Sequence, residues 1–349
     1  MRHTKLLSRL ALPIIQAPMA GVQDQALAIA VARAGGLGSL PCALLSHTAM
    51  QGQISKFRAA VDGPLNTNFF CHSVSKADPQ REAVWREILQ PYFSEYDIDP
   101  NDIAPAPVRK AFSHDEVDVL ESIRPEVVSF HFGLPDAALL QRVKSWGATV
   151  MSSATTVKEA LWLEARGADV IIAQGIEAGG HRGMFLSDDI TLQVGSFSLV
   201  AQILQRVKIP VIAAGGIATP VGVSAALALG ASAVQLGTAY LLCDETRTTA
   251  IHRAAICSEA CEHTALTNVF SGRPARSIVN RVVSELGPLN SAAPTFPHAA
   301  TAITALRKKA EEGGLPDFSP LWCGQNASGC REISAFEMTR YLASELKLG

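Results

Sequence analysis

Charge is scarce in this chain. Only 18% of its 349 residues are Asp, Glu, Lys or Arg, against roughly 25% in ordinary soluble domains. The two signs almost cancel, with 30 basic and 32 acidic side chains and a net charge of −2. That balance leaves no basic face and argues against a nucleic-acid partner. Tyrosine is also rare, occurring only at Tyr92, Tyr96, Tyr240 and Tyr341. The seven cysteines are odd in number and scattered from Cys42 to Cys330, which is not a disulfide framework. Reduced thiols in a cytoplasmic protein are the economical reading. The first 18 residues are weakly basic but lack a sustained apolar core and a small-residue cleavage site, so no signal peptide is read there.

The longest absence runs from Ile209 to Cys243, where 35 consecutive residues carry no charge. About 20 apolar residues suffice to cross a bilayer. Here, however, Pro210, Gly215, Gly216, Pro220, Gly230 and Gly237 break the run. The pieces are a strand-like VIAAGGI, a helix-like PVGVSAALALG and a strand-like AVQLGTAYL, each too short to span. A buried strand–helix–strand unit therefore displaces the membrane reading, because parallel strands covered on both faces are apolar throughout.

Hydrophobic residues make up 48% of the chain, ample for a large core. Short β-branched runs predict strands at 13–19, 37–42, 64–71, 126–133, 149–155, 169–175, 211–217 and 233–241. Helical patterns lie between them, at 24–35, 136–147, 156–167 and 220–229, and several stop at glycine. Eight strands alternating with helices predict an α/β fold, a closed (β/α)₈ TIM barrel. Residues 1–243 are assigned to the barrel, with an inserted segment at about 73–118 between the third and fourth strands. Residues 244–349 are expected to form a C-terminal helical cap over one mouth and a segment that closes the barrel. Within this part, His252, Cys257, Cys261 and His263 have zinc-ligand chemistry, and Cys257 and Cys261 would share a face of a helix over 246–263. Its small residues favour core packing instead, and no metal is expected.

In such barrels, function collects where the strands end. Those ends read APMA (17–20), NTN (66–68), HFG (131–133), SS (152–153), QGIEAGGHRG (174–183), AGG (214–216) and QLGT (235–238). Small, uncharged residues dominate. The loops after the seventh and eighth strands occupy the usual phosphate position of these barrels. Their main-chain N–H groups and the Thr238 hydroxyl can hold a phosphate without Lys or Arg.

Together, IIQAPMAGV (14–22), AGGLGSL (34–40), NTNFFCH (66–72), SFHFGLP (129–135), QGIEAGGHRG, PVIAAGGIA (210–218), AVQLGTAYL (233–241) and LWCGQNA (321–327) resemble the nitronate monooxygenases, formerly 2-nitropropane dioxygenases, of class I. The resemblance covers the barrel nearly end to end. It implies an FMN-dependent enzyme that oxidises alkyl nitronates with O₂ to a carbonyl compound and nitrite, with propionate 3-nitronate as the natural substrate. It places the active-site histidine at His181 and flavin contacts at Ala17, Pro18, Met19, Asn68, Gln174, Gly179 and Gly180. The phosphate end falls on Gly215, Gly216, Gln235, Leu236, Gly237 and Thr238. His131 is a candidate second polar group near the substrate. His181 would act as base toward neutral nitroalkanes and as a hydrogen-bonding group toward nitronates, which are already carbanions. Arg182 is expected to point to solvent, and Glu177 to hold the loop. Lys308 or Lys309 either approaches the flavin mouth or belongs to a solvated helix face. The scarcity of tyrosine departs from relatives with tyrosine-lined pockets and bears on substrate size. Partners are expected to be small molecules only, with neither nucleic acid nor membrane, for a monomer or homodimer. An NAD(P)H-dependent enoyl-acyl-carrier or quinone reductase on the same scaffold is the alternative, and a catalytically idle flavin-binding barrel is a further one.

Overall fold

The structure is a computed structural model and describes residues 6–73, 75–103 and 110–346. Its strands are β1 (Ile14–Gln16), β2 (Gly38–Pro41), β3 (Leu65–Phe70), β4 (Val127–His131), β5 (Thr149–Ala154), β6 (Val170–Gln174), β7 (Gly180–His181), β8 (Val211–Ala214), β9 (Ala233–Leu236), β10 (Thr264–Thr267) and β11 (Ala275–Ile278). All but β7, β10 and β11 form one parallel eight-stranded sheet, in the order β1-β9-β8-β6-β5-β4-β3-β2. The sheet closes on itself where Gln16 N–H donates to the Leu37 carbonyl at 3.0 Å and Leu37 N–H to that of Ile14 at 2.9 Å. This is the TIM barrel expected from the sequence, and each barrel strand falls inside its predicted range.

The ends of the elements follow from local chemistry. The last strand was expected to reach residue 241 but stops at Leu236, because Gly237 turns the chain into a 3₁₀ turn at Thr238–Tyr240. Among the outer helices are α1 (Gln25–Arg33), α2 (His47–Ala60), α4 (His114–Ile123), α5 (Ala137–Ser145), α6 (Val157–Ala165), α7 (Ser196–Leu204) and α8 (Pro220–Ala228). Side chains cap most of their amino ends. Thr219 accepts from Gly222 N–H and Pro220 fills the first turn of α8, a position that needs no N–H donor. Ser113 and Glu116 make a reciprocal capping box on α4.

Three apolar clusters matter for the site. One lies between strands and outer helices. Another fills the barrel's amino-terminal half, where Ile15, Leu37, Val127, Val170 and Ile212 meet Leu6 and Leu7. The third lies outside the barrel and joins α3 (Pro79–Glu95), from the insertion, to the carboxyl-terminal part. There Trp85, Leu89 and Phe93 pack with Val269, Phe270, Phe318 and Leu306 of α11 (Ala300–Glu312). Residues 74 and 104–109 of the expected insertion lie outside the described residues. The carboxyl-terminal part also holds α9 (Ala250–Ile256) and α10 (Arg281–Leu286), together with a feature the sequence did not signal. In it, β10, β11 and β7 form a small antiparallel sheet. The chain then returns through α12 (Ala335–Leu342), whose Thr339 Oγ1 lies 2.9 Å from the Tyr240 hydroxyl.

The expected helix over 246–263 is shorter than predicted. It ends at Ile256, and Ser258 starts a separate 3₁₀ turn at Glu259–Glu262 by accepting from Ala260 N–H. Cys257 and Cys261 therefore share no helix face. Among the described residues no helix is long and apolar enough to cross a membrane.

Trp85 is 1% exposed at the centre of the outer cluster. Trp85→Ala is expected to cost about 3–5 kcal/mol of stability, read as a fall in the midpoint of thermal unfolding.

Candidate functional site

The carboxyl ends of the strands open on one cavity of about 390 Å³, within the range of small-molecule sites. The positions expected to contact flavin, phosphate or substrate line it: Ala17, Pro18 and Met19 after β1, Asn68 on β3, His131 on β4, Gln174 on β6, Gly179, Gly180 and His181 at β7, Gly215 and Gly216 after β8, and Gln235, Leu236, Gly237 and Thr238 at the end of β9.

Buried amides shape the first of these loops. Gln16, Gln23 and Ser39 are all buried. Gln23 Oε1 accepts from Met19 N–H and from Gln16 Nε2, each at 2.7 Å. Gln23 Nε2 donates to the Ser39 carbonyl at 2.7 Å, and Ser39 N–H donates to Gln16 Oε1 at 2.9 Å. The backbone of 17–19 is thereby fixed at the cavity edge without a charged group.

The loop after β6 is held more heavily. Arg182, expected to face solvent, is fully buried. Its guanidinium donates to the carbonyls of Gln174 and Gly175, both at 2.7 Å, and to Gln193 Oε1 at 2.9 Å. Burial pulls its pKa down to about 9, with Arg276 nearby acting in the same direction and Glu177 and Glu159 opposing. The expectation failed because β11 and the loops beyond it cover this segment, and three polar loop atoms then need an internal donor. Arg276 of β11 does the same for the next carbonyl, that of Ile176, at 2.9 Å. Glu177 holds the loop as expected, accepting from Ser196 N–H at the start of α7.

His181 lies on β7, paired with Ala275 of β11. Its carbonyl accepts from Gln174 Nε2 at 3.0 Å and from His131 Nε2 at 3.1 Å. Its own Nε2 lies 2.8 Å from Ser271 Oγ. The ring packs against Trp322, Phe296 and Phe132, with centroids at 5.4, 5.7 and 6.2 Å. His131 is also a cavity residue, but both of its ring nitrogens are engaged by protein. Nε2 donates to the His181 carbonyl, and Nδ1, 3.0 Å from Ser153 Oγ, accepts from that hydroxyl. Burial pushes its pKa down to about 4. His131 is thus a neutral ring that positions His181. Gln174 likewise uses both ends of its amide on this loop, since Gly183 N–H donates to its Oε1 at 2.7 Å.

The far end of the cavity is built from backbone. Gly215 and Gly216 have φ of +108° and +73°, a region that suits glycine. Among the described residues, the N–H groups of Gly216, Ile217, Gly237 and Thr238 meet no protein acceptor. Gln235 Oε1 is buried without a partner at the same end. Such a cluster of donors suits an anion that brings its own acceptors. The segment carrying LWCGQNA crosses beside it. Gly324 N–H donates to Thr238 Oγ1 at 2.9 Å, and Asn326 Nδ2 to the Gly216 carbonyl at 2.8 Å. A Cβ on Gly179 would stand 2.6 Å from Gly324 N, so this crossing requires glycine.

Lys308 and Lys309 do not line this cavity; they line a neighbouring one of about 1240 Å³. Arg307, His252, Ser271, Trp322 and Gly324 do line it and were not singled out for it. Only Trp322 and Gly324 carried a sequence signal, as part of LWCGQNA. Among the described residues no group of three or more His, Cys, Asp or Glu side chains is placed to hold a metal ion.

A family model described as nitronate monooxygenase matches residues 3–345. A nitronate monooxygenase of Pseudomonas aeruginosa is 42% identical over 99% of both chains. One from Paraburkholderia phytofirmans is also 42% identical, over 96% of this chain and 92% of its own. Among solved structures, a nitroalkane oxidase from Streptomyces ansochromogenes superposes with a TM-score of 0.90 at 38% identity, covering 98% of each chain. FabK from Thermotoga maritima gives 0.72 at 26% identity over 99% of this chain and 97% of its own.

Two consequences are testable. Arg182→Met leaves three buried acceptors without their donors, and a loss of about 3–5 kcal/mol is expected in chemical denaturation. Arg182→Lys is expected not to restore it, since an ammonium lacks the planar fork. The buried neutral histidines, His131 and His252, are each lowered from 6.5 to about 4. The unfolded chain therefore takes up protons first on acidification. Stability is full above about pH 6.5 and falls by about 1.4 kcal/mol per pH unit for each histidine down to about pH 4. Denaturation curves across that window, with His252→Phe giving the shallower slope, check it.

Proposed function

The chain belongs to the nitronate monooxygenase family, and on that premise we propose that it oxidises alkyl nitronates with O₂ to a carbonyl compound and nitrite, using FMN bound at the strand ends. The observation that carries the reading is the cradle of unpartnered N–H groups at Gly216, Ile217, Gly237 and Thr238, in the same cavity as His181. The residues present fit the group. A phosphate accepts from all of these donors and needs no lysine or arginine there. The buried Gln235 Oε1 awaits a donor such as the cofactor's own hydroxyl or N–H groups. When bound, FMN supplies the redox chemistry that side chains lack, while the protein supplies position and electrostatics.

The chain's own residues then have defined tasks. Ala17, Pro18, Met19, Gly179 and Gly180 offer main chain to the cofactor, and Asn68 and Gln174 line the cavity from β3 and β6. Phe132, Phe296 and Trp322 wall His181 in and limit water around it. A nitronate is already a carbanion, so its oxidation requires no base. A neutral nitroalkane must first lose its α-proton, and we assign that proton to His181, a side chain whose ordinary range suits neutral pH. Propionate 3-nitronate is the natural substrate in this reading. The alternative, an NAD(P)H-dependent reductase, has the FabK neighbour in its favour, at the lower identity of 26%.

The purified protein is expected to be yellow, to release FMN on denaturation, and to consume O₂ and form nitrite with a nitronate. A colourless protein without FMN affinity, or one whose flavin is rapidly bleached by NADH in the absence of O₂, would sink the reading. Gly216→Val forces a β-branched residue to a φ of +73° and is expected to weaken FMN binding, measured by fluorescence titration. His181→Asn is expected to lower turnover of neutral nitroethane by about 10²- to 10⁴-fold and to affect preformed ethylnitronate far less.

A further inference from the structure

The neighbouring cavity of about 1240 Å³ lies between the barrel, the insertion and α11, and the reaction proposed above makes no use of it. The two cavities share Ala43 and Leu44, in the 3₁₀ turn that follows β2, Phe70 at the end of β3, and Ala300 and Thr304 of α11. Leu44 is 47% exposed and Thr304 is exposed as well, so their shared edge is a passage rather than a packed wall. A ligand that covered Leu44 would take a large apolar side chain out of water.

The passage is apolar and opens at the reacting end of the site. The Thr304 hydroxyl donates to the Ala300 carbonyl at 2.6 Å, one turn back on its own helix, which leaves the methyl group for a ligand. Beyond it, the half-buried side chains of Leu45, Ile98 and Ile103 continue the apolar lining, while Lys308, Lys309 and Asp99 are exposed at the rim. In the closed sheet β3 stands opposite β8, so the passage lies across the barrel mouth from the phosphate cradle. Phe70 packs on Phe132 with ring centroids 5.3 Å apart, and Phe132 packs on His181 at 6.2 Å. The strand-end cavity, about 390 Å³, is near the lower limit for a drug-sized ligand. A flavin is already of that size, so a substrate of more than a few carbons has to extend elsewhere.

Resting on the function proposed above, we infer that this passage takes the hydrocarbon tail of medium-chain alkyl nitronates, whose nitronate group lies at His181. Leu44, Phe70, Ala300 and Thr304 then set the preference for chain length. Each methylene that enters the passage leaves water, which strengthens binding by up to roughly fourfold. The tail takes no part in the reaction, so its burial acts on KM and leaves kcat alone.

The test measures kcat and KM of the holoenzyme for preformed ethyl-, butyl-, hexyl- and octyl-1-nitronate. KM is expected to fall by roughly two- to fourfold per added methylene from butyl to octyl, with kcat nearly constant. Thr304→Phe narrows the passage from an exposed helix position. It is expected to raise KM for octylnitronate by at least about tenfold while ethylnitronate stays within about twofold, with FMN content unchanged. Leu44→Ser removes the opposite wall on an exposed turn and is expected to raise KM for octylnitronate alone, by roughly three- to tenfold. A readout independent of turnover is calorimetric titration with octanoate and propanoate, redox-inert anions that differ in tail. Octanoate is expected to bind the wild type at least about tenfold more tightly, and Thr304→Phe to remove the difference. A wild-type KM that does not fall with chain length, variants that change ethyl- and octylnitronate equally or not at all, or octanoate bound no more tightly than propanoate would overturn the passage. If the wild type oxidises no nitronate, the reaction assigned above fails, while the octanoate titration still decides the passage.

Discussion

The site depends on three consecutive carbonyls. Gln174, Gly175 and Ile176 end β6 and begin a loop that would otherwise expose its backbone, and each carbonyl is met by a buried arginine, two by Arg182 and one by Arg276. Buried guanidinium groups are expensive, and these two raise each other's cost. What they secure is a fixed path for the next few residues. Glu177 reaches the start of α7, Gly179 lies against Gly324, and Gly180 and His181 pair with β11. Arg276 is itself on β11, so the strand that aligns His181 also carries one of the clamps beneath it. The barrel and the part outside it are therefore coupled through hydrogen bonds at the site rather than through apolar contact alone.

His181 shows how such coupling shapes chemistry. Its carbonyl is gripped from β4 by His131 and from β6 by Gln174. Its imidazole is set by Ser271 and by an aromatic wall, part of which comes from beyond residue 290. A second histidine at a strand end reads from the sequence as a second participant. In the fold it is a positioning group, because a carbonyl and a hydroxyl occupy both of its nitrogens.

The barrel was legible because its code is local. Each strand lies in a short, largely apolar run, most helices start at a capping residue, and these signals need no knowledge of distant partners. The glycine loops were legible for a similar reason, since Gly215 and Gly216 must adopt left-handed backbone whatever surrounds them. What escaped was set by contacts across long stretches of chain. Arg182 looked like a surface residue because the segments that bury it, among them Pro274 and β11, follow about ninety residues later. The short strands β10 and β11 carry no apolar alternation, and Thr264 and Arg276 read as loop or helix until their pairing is known. His252 and Arg307 lie on helices whose sequence favours core or solvent, and only the placement of α9 and α11 turns them toward the cavity.

The low charge of the chain takes on a spatial meaning in the cavity. At the β8 and β9 end, binding capacity resides in backbone N–H groups, which carry partial charges and keep their direction without a flexible stem. Among the described lining residues the one lysine or arginine is Arg307, and its charge is paired with Glu311. Fixed dipoles suit a resident group that must be held in one orientation through many turnovers. The 35-residue stretch without charge is therefore the part of the chain that carries the cradle, where main-chain N–H groups take the place of side-chain cations.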